Sequence, residues 1–193
     1  MIKVLSKAFF SILIFGCIYK LYDCYFNNLI YTISSYDGKK YKVRNHSNKE
    51  KAANVLAELR VRLEKLNKYL QNKYYSDNKC VNLIKQRFKP SNISETPQHS
   101  RNTSYSVNKG EQLVFCIRPK NDDSLFHEVN LLMFVAIHEL AHVGSKSIGH
   151  NNEFYENFVF LLNEAIHIGV YKKINFDKDN ADYCGMKITS SPV

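Results

Sequence analysis

Little in this 193-residue chain breaks regular structure: it has seven Gly, four Pro and no repeated or low-complexity stretch. Disordered and collagen-like classes are excluded, because 45% hydrophobic against 23% charged residues can bury a core. Cysteine is scarce as well. Five Cys with no CxxC pair exclude a zinc ribbon and argue against a disulfide framework, so a reducing compartment is expected. Also lacking is an uninterrupted apolar run long enough to cross a bilayer: Ala8 to Tyr19 covers about 18 Å against about 30 Å of hydrocarbon. No Ala-x-Ala follows it, which argues against a cleavable signal peptide. With Val4, Leu5, Leu21 and Tyr22 included, and Lys3, Lys7 and Lys20 snorkelling, the span reaches about nineteen residues. Residues 1–27 are therefore expected to be an N-terminal membrane anchor, and 28–193 a single domain on an undetermined side of that membrane.

The net charge of +9 is unevenly placed. Residues 38–89 hold fifteen Lys/Arg against four Asp/Glu, a net +11, while 121–193 hold five against ten, a net −5. Such a basic segment is either a solvated helix face or a surface for phosphate, in nucleic acid or in lipid headgroups.

The element pattern is mixed. Leu29–Ser35 and Lys39–Arg44 read as strands joined at Asp37-Gly38, a hairpin signal. Ser47 with Glu50 forms a capping box before a helix over 49–74, whose apolar stripe is Ala52, Leu56, Leu59, Leu63, Leu66 and Leu70. Arg60, Arg62, Lys65, Lys68 and Lys73 are placed on its outward face. A short helix over 81–88 stops at Pro90, and Pro90 to Asn102 reads as a loop. Thr103–Val107 and Glu111–Ile117 form a second hairpin around Asn108-Lys109-Gly110. Helices follow from Leu125 to Gly144, capped within Asp122–Ser124, and over 153–168, before an extended tail. These elements make an α+β fold with a small antiparallel sheet.

The chemistry lies in His138-Glu139-Leu140-Ala141-His142. Histidines at i and i+4 lie one turn apart on a single helix face, so both imidazoles can reach one metal ion. A catalytic zinc takes three protein ligands and an open position for water, and Glu139 beside them is the general base. Composition alone produces this pattern about 0.01 times in such a chain. The surrounding LLMFVAI is apolar, as a buried active-site helix requires. For the third ligand His150 leads, because Gly144 and Gly149 let the chain fold back over the metal, and Glu153, Glu156 and Glu164 are the alternatives. Tyr183 is a candidate phenol donor to an oxyanion, and Cys184 either caps the site or is buried.

The motif HELAH, followed by His150-Asn151-Asn152-Glu153-Phe154-Tyr155 and the apolar FVFLLNEAI, resembles the WLM and SprT-like zinc metallopeptidases. Tyr41-Lys42-Val43-Arg44-Asn45, Thr103 to Glu111, Ser147 to His150 and Tyr183 to Thr189 are similar to a family of metallopeptidase-like proteins encoded by large nucleocytoplasmic DNA viruses. The resemblance implies a zincin-like domain that binds Zn2+ and cleaves a protein or peptide substrate, here as a membrane-anchored viral protein. Two further readings stay open. One is a non-catalytic membrane or virion protein with a structural zinc. The other is a nucleic-acid-associated protease, not favoured, since the basic C-terminal tail of the DNA-repair branch is absent.

Overall fold

In the computed structural model, which describes residues 12–22, 28–74 and 77–193, the first hairpin forms as Asp37-Gly38 requires. β1 (Leu29–Ile33) and β2 (Lys40–Arg44) pair antiparallel with Ile33 opposite Lys40, and Gly38 takes a φ of +71° in the turn. Alternation buries Tyr41 and Val43 and leaves Lys40 and Lys42 in water. α1 (Lys49–Tyr74) has the bounds its periodicity predicts. Leu56, Leu59, Leu63, Leu66 and Leu70 are wholly buried along it, a gross burial on the order of 10 kcal/mol. Asn48, rather than Ser47, stands directly before the first helical residue, and its amide donates to the Asp123 carbonyl.

The basic face of α1 is smaller than its charge count suggests. Arg60 is buried, donating to Asp37 at 2.9 Å and to the Tyr41 hydroxyl at 2.7 Å. Arg62 pairs with Glu58 and Lys73 with Glu164. Three of the five expected outward cations are thus spent on internal or lateral partners.

The sheet corrects the expectation of a small antiparallel one. After α2 (Lys79–Arg87), capped by the Asn78 side chain, residues 93–95 form a strand, β3 (Ile93–Glu95), inside the segment whose Ser, Asn and Pro content reads as a loop. β3 lies parallel to β2 and to β5 (Gln112–Phe115), while β4 (Tyr105–Val107) runs antiparallel to β5. The result is a five-stranded mixed sheet, order β1-β2-β3-β5-β4, with β4 at one edge. Composition hides β3 because its polar side chains are paired instead of exposed. Glu95, fully buried, accepts from Arg118 Nε at 2.6 Å and from the Arg44 amide at 2.8 Å, and Ser94 accepts from Gln112.

α3 (Val129–Val143) starts later than Leu125, which is exposed. The proposed caps are otherwise engaged: Asp122 accepts from the Ser124 amide, and Asp123 pairs with Arg44 at 2.8 Å. α4 (Asn152–His167) is capped by Asn151, whose side chain accepts from the Phe154 amide at 3.1 Å. The tail folds into a separate hairpin of β6 (Ala181–Tyr183) and β7 (Met186–Ile188).

Two other expectations change. Cys116, just after β5, and Cys184, in the β6–β7 turn, form a disulfide across 68 positions, so the reading of uniformly reduced cysteines is corrected. Local spacing cannot reveal a pair joined only by the tertiary fold. Of the expected anchor over 1–27, residues 1–11 and 23–27 lie outside the described residues. Residues 12–22 form a helix about 16 Å long with exposed side chains, and no helix among the described residues is long and apolar enough to cross a membrane.

Candidate active site

Seven consecutive residues, Leu131 to Ile137, are buried, so α3 runs through the middle of the domain between α1, α2 and α4. A helix apolar on every side is one that the fold surrounds. Its last two turns present His138 and His142 to a cleft of about 880 Å³. Gly144 ends the helix where a side chain would collide with Cys80 and Ile84 of α2. The chain then doubles back, and Gly149 with φ +85° turns His150 toward the pair.

The three imidazoles converge. His150 Nε2 lies 3.1 Å from His138 Nε2 and 3.2 Å from His142 Nε2. Tetrahedral zinc with Zn–N of about 2.0–2.1 Å sets its ligand nitrogens about 3.3 Å apart, so this donor set fits that ion. Phe154, from the first turn of α4, supports all three rings. It stacks on His142 at 4.3 Å and meets the edges of His138 and His150 at 4.8 and 4.7 Å. Burial, reinforced by the neighbouring imidazoles, holds the His138 pKa down at about 3; burial, His150 and Lys109 hold His142 at about 4. Both rings are therefore neutral at physiological pH, the form in which imidazole binds metal.

Glu139, next to His138, lines the same cleft and is 7% exposed. Its carboxylate accepts from the Ser106 amide of β4, yet burial outweighs that bond and pushes its pKa up to about 7. A group of that pKa takes up and releases a proton near neutrality. Tyr183, at the end of β6, also lines the cleft, and its hydroxyl bonds the Ser104 hydroxyl just before β4. Burial keeps this phenol protonated far beyond the ordinary tyrosine range.

The loop that carries His150 is fastened by residues that spacing does not single out. Lys109 Nζ, from the β4–β5 turn, donates to the carbonyls of Ser145, Lys146 and Ser147 at 3.0, 2.6 and 2.8 Å. Arg87 donates to the carbonyls of Val143 and Ser145 at 3.0 and 2.9 Å, closing the end of α3. Glu153 accepts from the Ser147 hydroxyl and from the amides of Lys146 and Ser147; these bonds hold its carboxyl at about 2. Glu153 is thus turned into the loop. Glu164 pairs with Lys73 and Tyr74 of α1, and Glu156 is exposed, so the carboxylate alternatives do not join the cluster. The positive φ at Lys109, +52°, next to Asn108 and Gly110 is the one local signal that a tight turn brings this amine inward.

The chain is 34% identical over 161 residues to an uncharacterized protein of Acanthamoeba polyphaga mimivirus, covering 82% of this chain and 81% of that protein. It is 38% identical over 69 residues to an uncharacterized protein of Invertebrate iridescent virus 6, covering 35% of this chain and 38% of that one. The crystal structure of Wss1 from Saccharomyces cerevisiae superposes with a TM-score of 0.50 at 22% identity, over 66% of this chain and 87% of that chain, a likeness of fold. The WLM domain model matches residues 38–192. A model matched over four-fifths of its length makes this chain a member of the WLM domain family, a family of metallopeptidase type.

Proposed function

We propose that this protein is a zinc-dependent endopeptidase in which His138, His142 and His150 hold the metal and Glu139 is the general base. The observation that carries the proposal is the approach of His150 Nε2 to within 3.1 Å of His138 Nε2 and 3.2 Å of His142 Nε2, beside a buried carboxyl of raised pKa. When bound, zinc supplies Lewis-acid activation of water and of the scissile carbonyl. Glu139, oriented by the Ser106 amide, takes the proton from that water and returns it to the leaving amine. β4 is an edge strand bordering the cleft, and an edge strand suits an extended peptide laid along it by strand addition. Tyr183 donates its phenolic proton toward the developing oxyanion, with Ser104 fixing the ring's hydroxyl.

The site of action we propose is a membrane, reached through the apolar N-terminal segment, in the setting of viral infection. Exposed Ile12, Phe15, Ile18 and Leu21 on the helix over 12–22, and viral relatives over most of the domain, support it.

The test is the zinc content and casein cleavage of the full chain against His138→Ala, His150→Ala and Glu139→Gln. One zinc per chain in wild type and Glu139→Gln, loss in both histidine variants, and cleavage by wild type alone are expected. Cleavage that survives Glu139→Gln overturns the assigned base, and full zinc in His150→Ala overturns the third ligand. Zinc retained with no cleavage by wild type would favour a structural metal.

A further inference from the structure

One wall of the cleft stands apart from the main sheet. β6 and β7 pair with each other in a sheet of their own, and a hairpin of three residues a side is marginal in water. Its turn, Tyr183-Cys184-Gly185-Met186, has positive φ at both central residues, +50° and +85°, the two-residue geometry that favours Asn-Gly. Cys184 thus carries a side chain where one is disfavoured, and the disulfide to Cys116 leaves from that position. Cys116 directly follows β5, whose neighbour β4 supplies the amide that holds Glu139. The bridge therefore ties the hairpin tip to the sheet that orients the base.

What the tip carries is functional surface. One residue before the bridge, Tyr183 inserts its ring into the domain, 5.1 Å from the His127 ring and with its hydroxyl on Ser104. Just after it, Met186, Lys187, Ile188 and Thr189 line the cleft. The metal triad has different supports: His138 and His142 ride on α3, and His150 on the loop held by Lys109, Arg87 and Glu153.

We propose that the Cys116–Cys184 disulfide is the positioning element of the substrate cleft, and that its reduction by a dithiol frees the Tyr183 wall while the metal triad stays assembled. The inference rests on the peptidase reading. The step balances as a thiol–disulfide exchange: the Cys116–Cys184 bond breaks, both sulfurs leave as thiols with two electrons and two protons from the dithiol, and the dithiol closes to its own disulfide.

The experiment compares the full chain oxidised, reduced with dithiothreitol and desalted, and reoxidised, each re-supplied with one equivalent of zinc. Readouts are zinc per chain, cleavage of quenched fluorescent casein, and hydrogen exchange by mass spectrometry. On reduction, kcat/KM is expected to fall at least tenfold and exchange to rise across 181–190, with zinc unchanged and protection of α3 and α4 kept; reoxidation restores all of it. The Cys116→Ala/Cys184→Ala variant should match the reduced wild type and no longer respond to reductant. Unchanged exchange at 181–190 after full reduction overturns the proposal, as does loosening that spreads through α3 and α4 or a double variant that still responds. Failure of the peptidase reading shows separately, as absence of zinc and of cleavage in the oxidised protein, and the exchange data then judge the wall by themselves.

Discussion

The loop bearing His150 and the hairpin bearing Tyr183 border the same cleft, and they are secured by opposite means. The loop is held by many weak fastenings: three carbonyls on Lys109, two on Arg87, three donors on Glu153, and Asn157 donating to Gly144 and Ser145. The hairpin is joined to the sheet by one covalent bond and one pair of hydroxyls, with the Tyr183 ring packed against His127. Distributed contacts tolerate the loss of any one member, whereas a single link fails at once. The loop proposed to hold a metal ligand has the first design, and the wall proposed to be releasable has the second.

Breaking the single link gives the largest effect. A bridge closing 68 residues restricts the unfolded chain by about 4 kcal/mol, so Cys116→Ala/Cys184→Ala should lose about that much in urea unfolding of the zinc-free protein. A loss under about 1 kcal/mol would place the hairpin's contribution in its packing instead.

Glu139 tests the sheet side of the cleft. Its carboxyl rises from an ordinary 4.5 to about 7 in the fold, so the native state holds the proton more tightly than the unfolded chain. Stability is then unaffected below about pH 4.5, falls as pH rises, and is down by roughly 3 kcal/mol above pH 7. Glu139→Gln should therefore stabilise the chelator-treated protein by up to about 3 kcal/mol at pH 8 and by almost nothing at pH 4.5, read from urea midpoints. A gain that does not change with pH would contradict the buried-carboxylate account.

Removing one of the loop's several fastenings should do less. Lys109→Met is expected to weaken zinc binding about 10- to 100-fold in chelator competition, with unfolding still cooperative. Affinity equal to wild type would show Arg87 and Glu153 sufficient. The smallest change is Tyr183→Phe, which keeps the ring and drops one hydroxyl pair, at about 1 kcal/mol in thermal unfolding. A cost several times larger would mean that the hydroxyl contact, rather than the bridge, carries the hairpin.

The part of this comparison legible in the sequence was the part written in local pattern. The bounds of α1 followed from leucine periodicity, the β1–β2 turn from Asp37-Gly38, and the pairing of His138 with His142 from one turn of helix. His150 was reachable through the glycines around it. What stayed hidden was set by partners distant in sequence. β3 reads as a loop until Arg118 and Arg44 are seen to neutralise Glu95, and the start of α3 shifts because Asp123 is engaged by Arg44 from β2. The Cys116–Cys184 bridge and the Lys109 amine over the Ser145–Ser147 carbonyls join segments 68 and about 36 residues apart, beyond any spacing rule. The count of cations on α1 misled for the same reason: Arg60 belongs to Asp37, a residue of the preceding turn.

Gly144 and Cys80 are coupled mutational partners. A side chain added at 144 overlaps Cys80 Sγ and presses on Ile84, so α2 and α3 touch through two of the smallest side chains available. Neither residue can grow unless the other shrinks, and Gly144 cannot shrink. A library randomised at both positions should return only small pairs, and enlargement at 80 should act at a distance, by tilting the end of α3 and so the aim of His142. The tolerance of the proposed metal site to sequence drift is thereby set in part by two residues outside the histidine cluster.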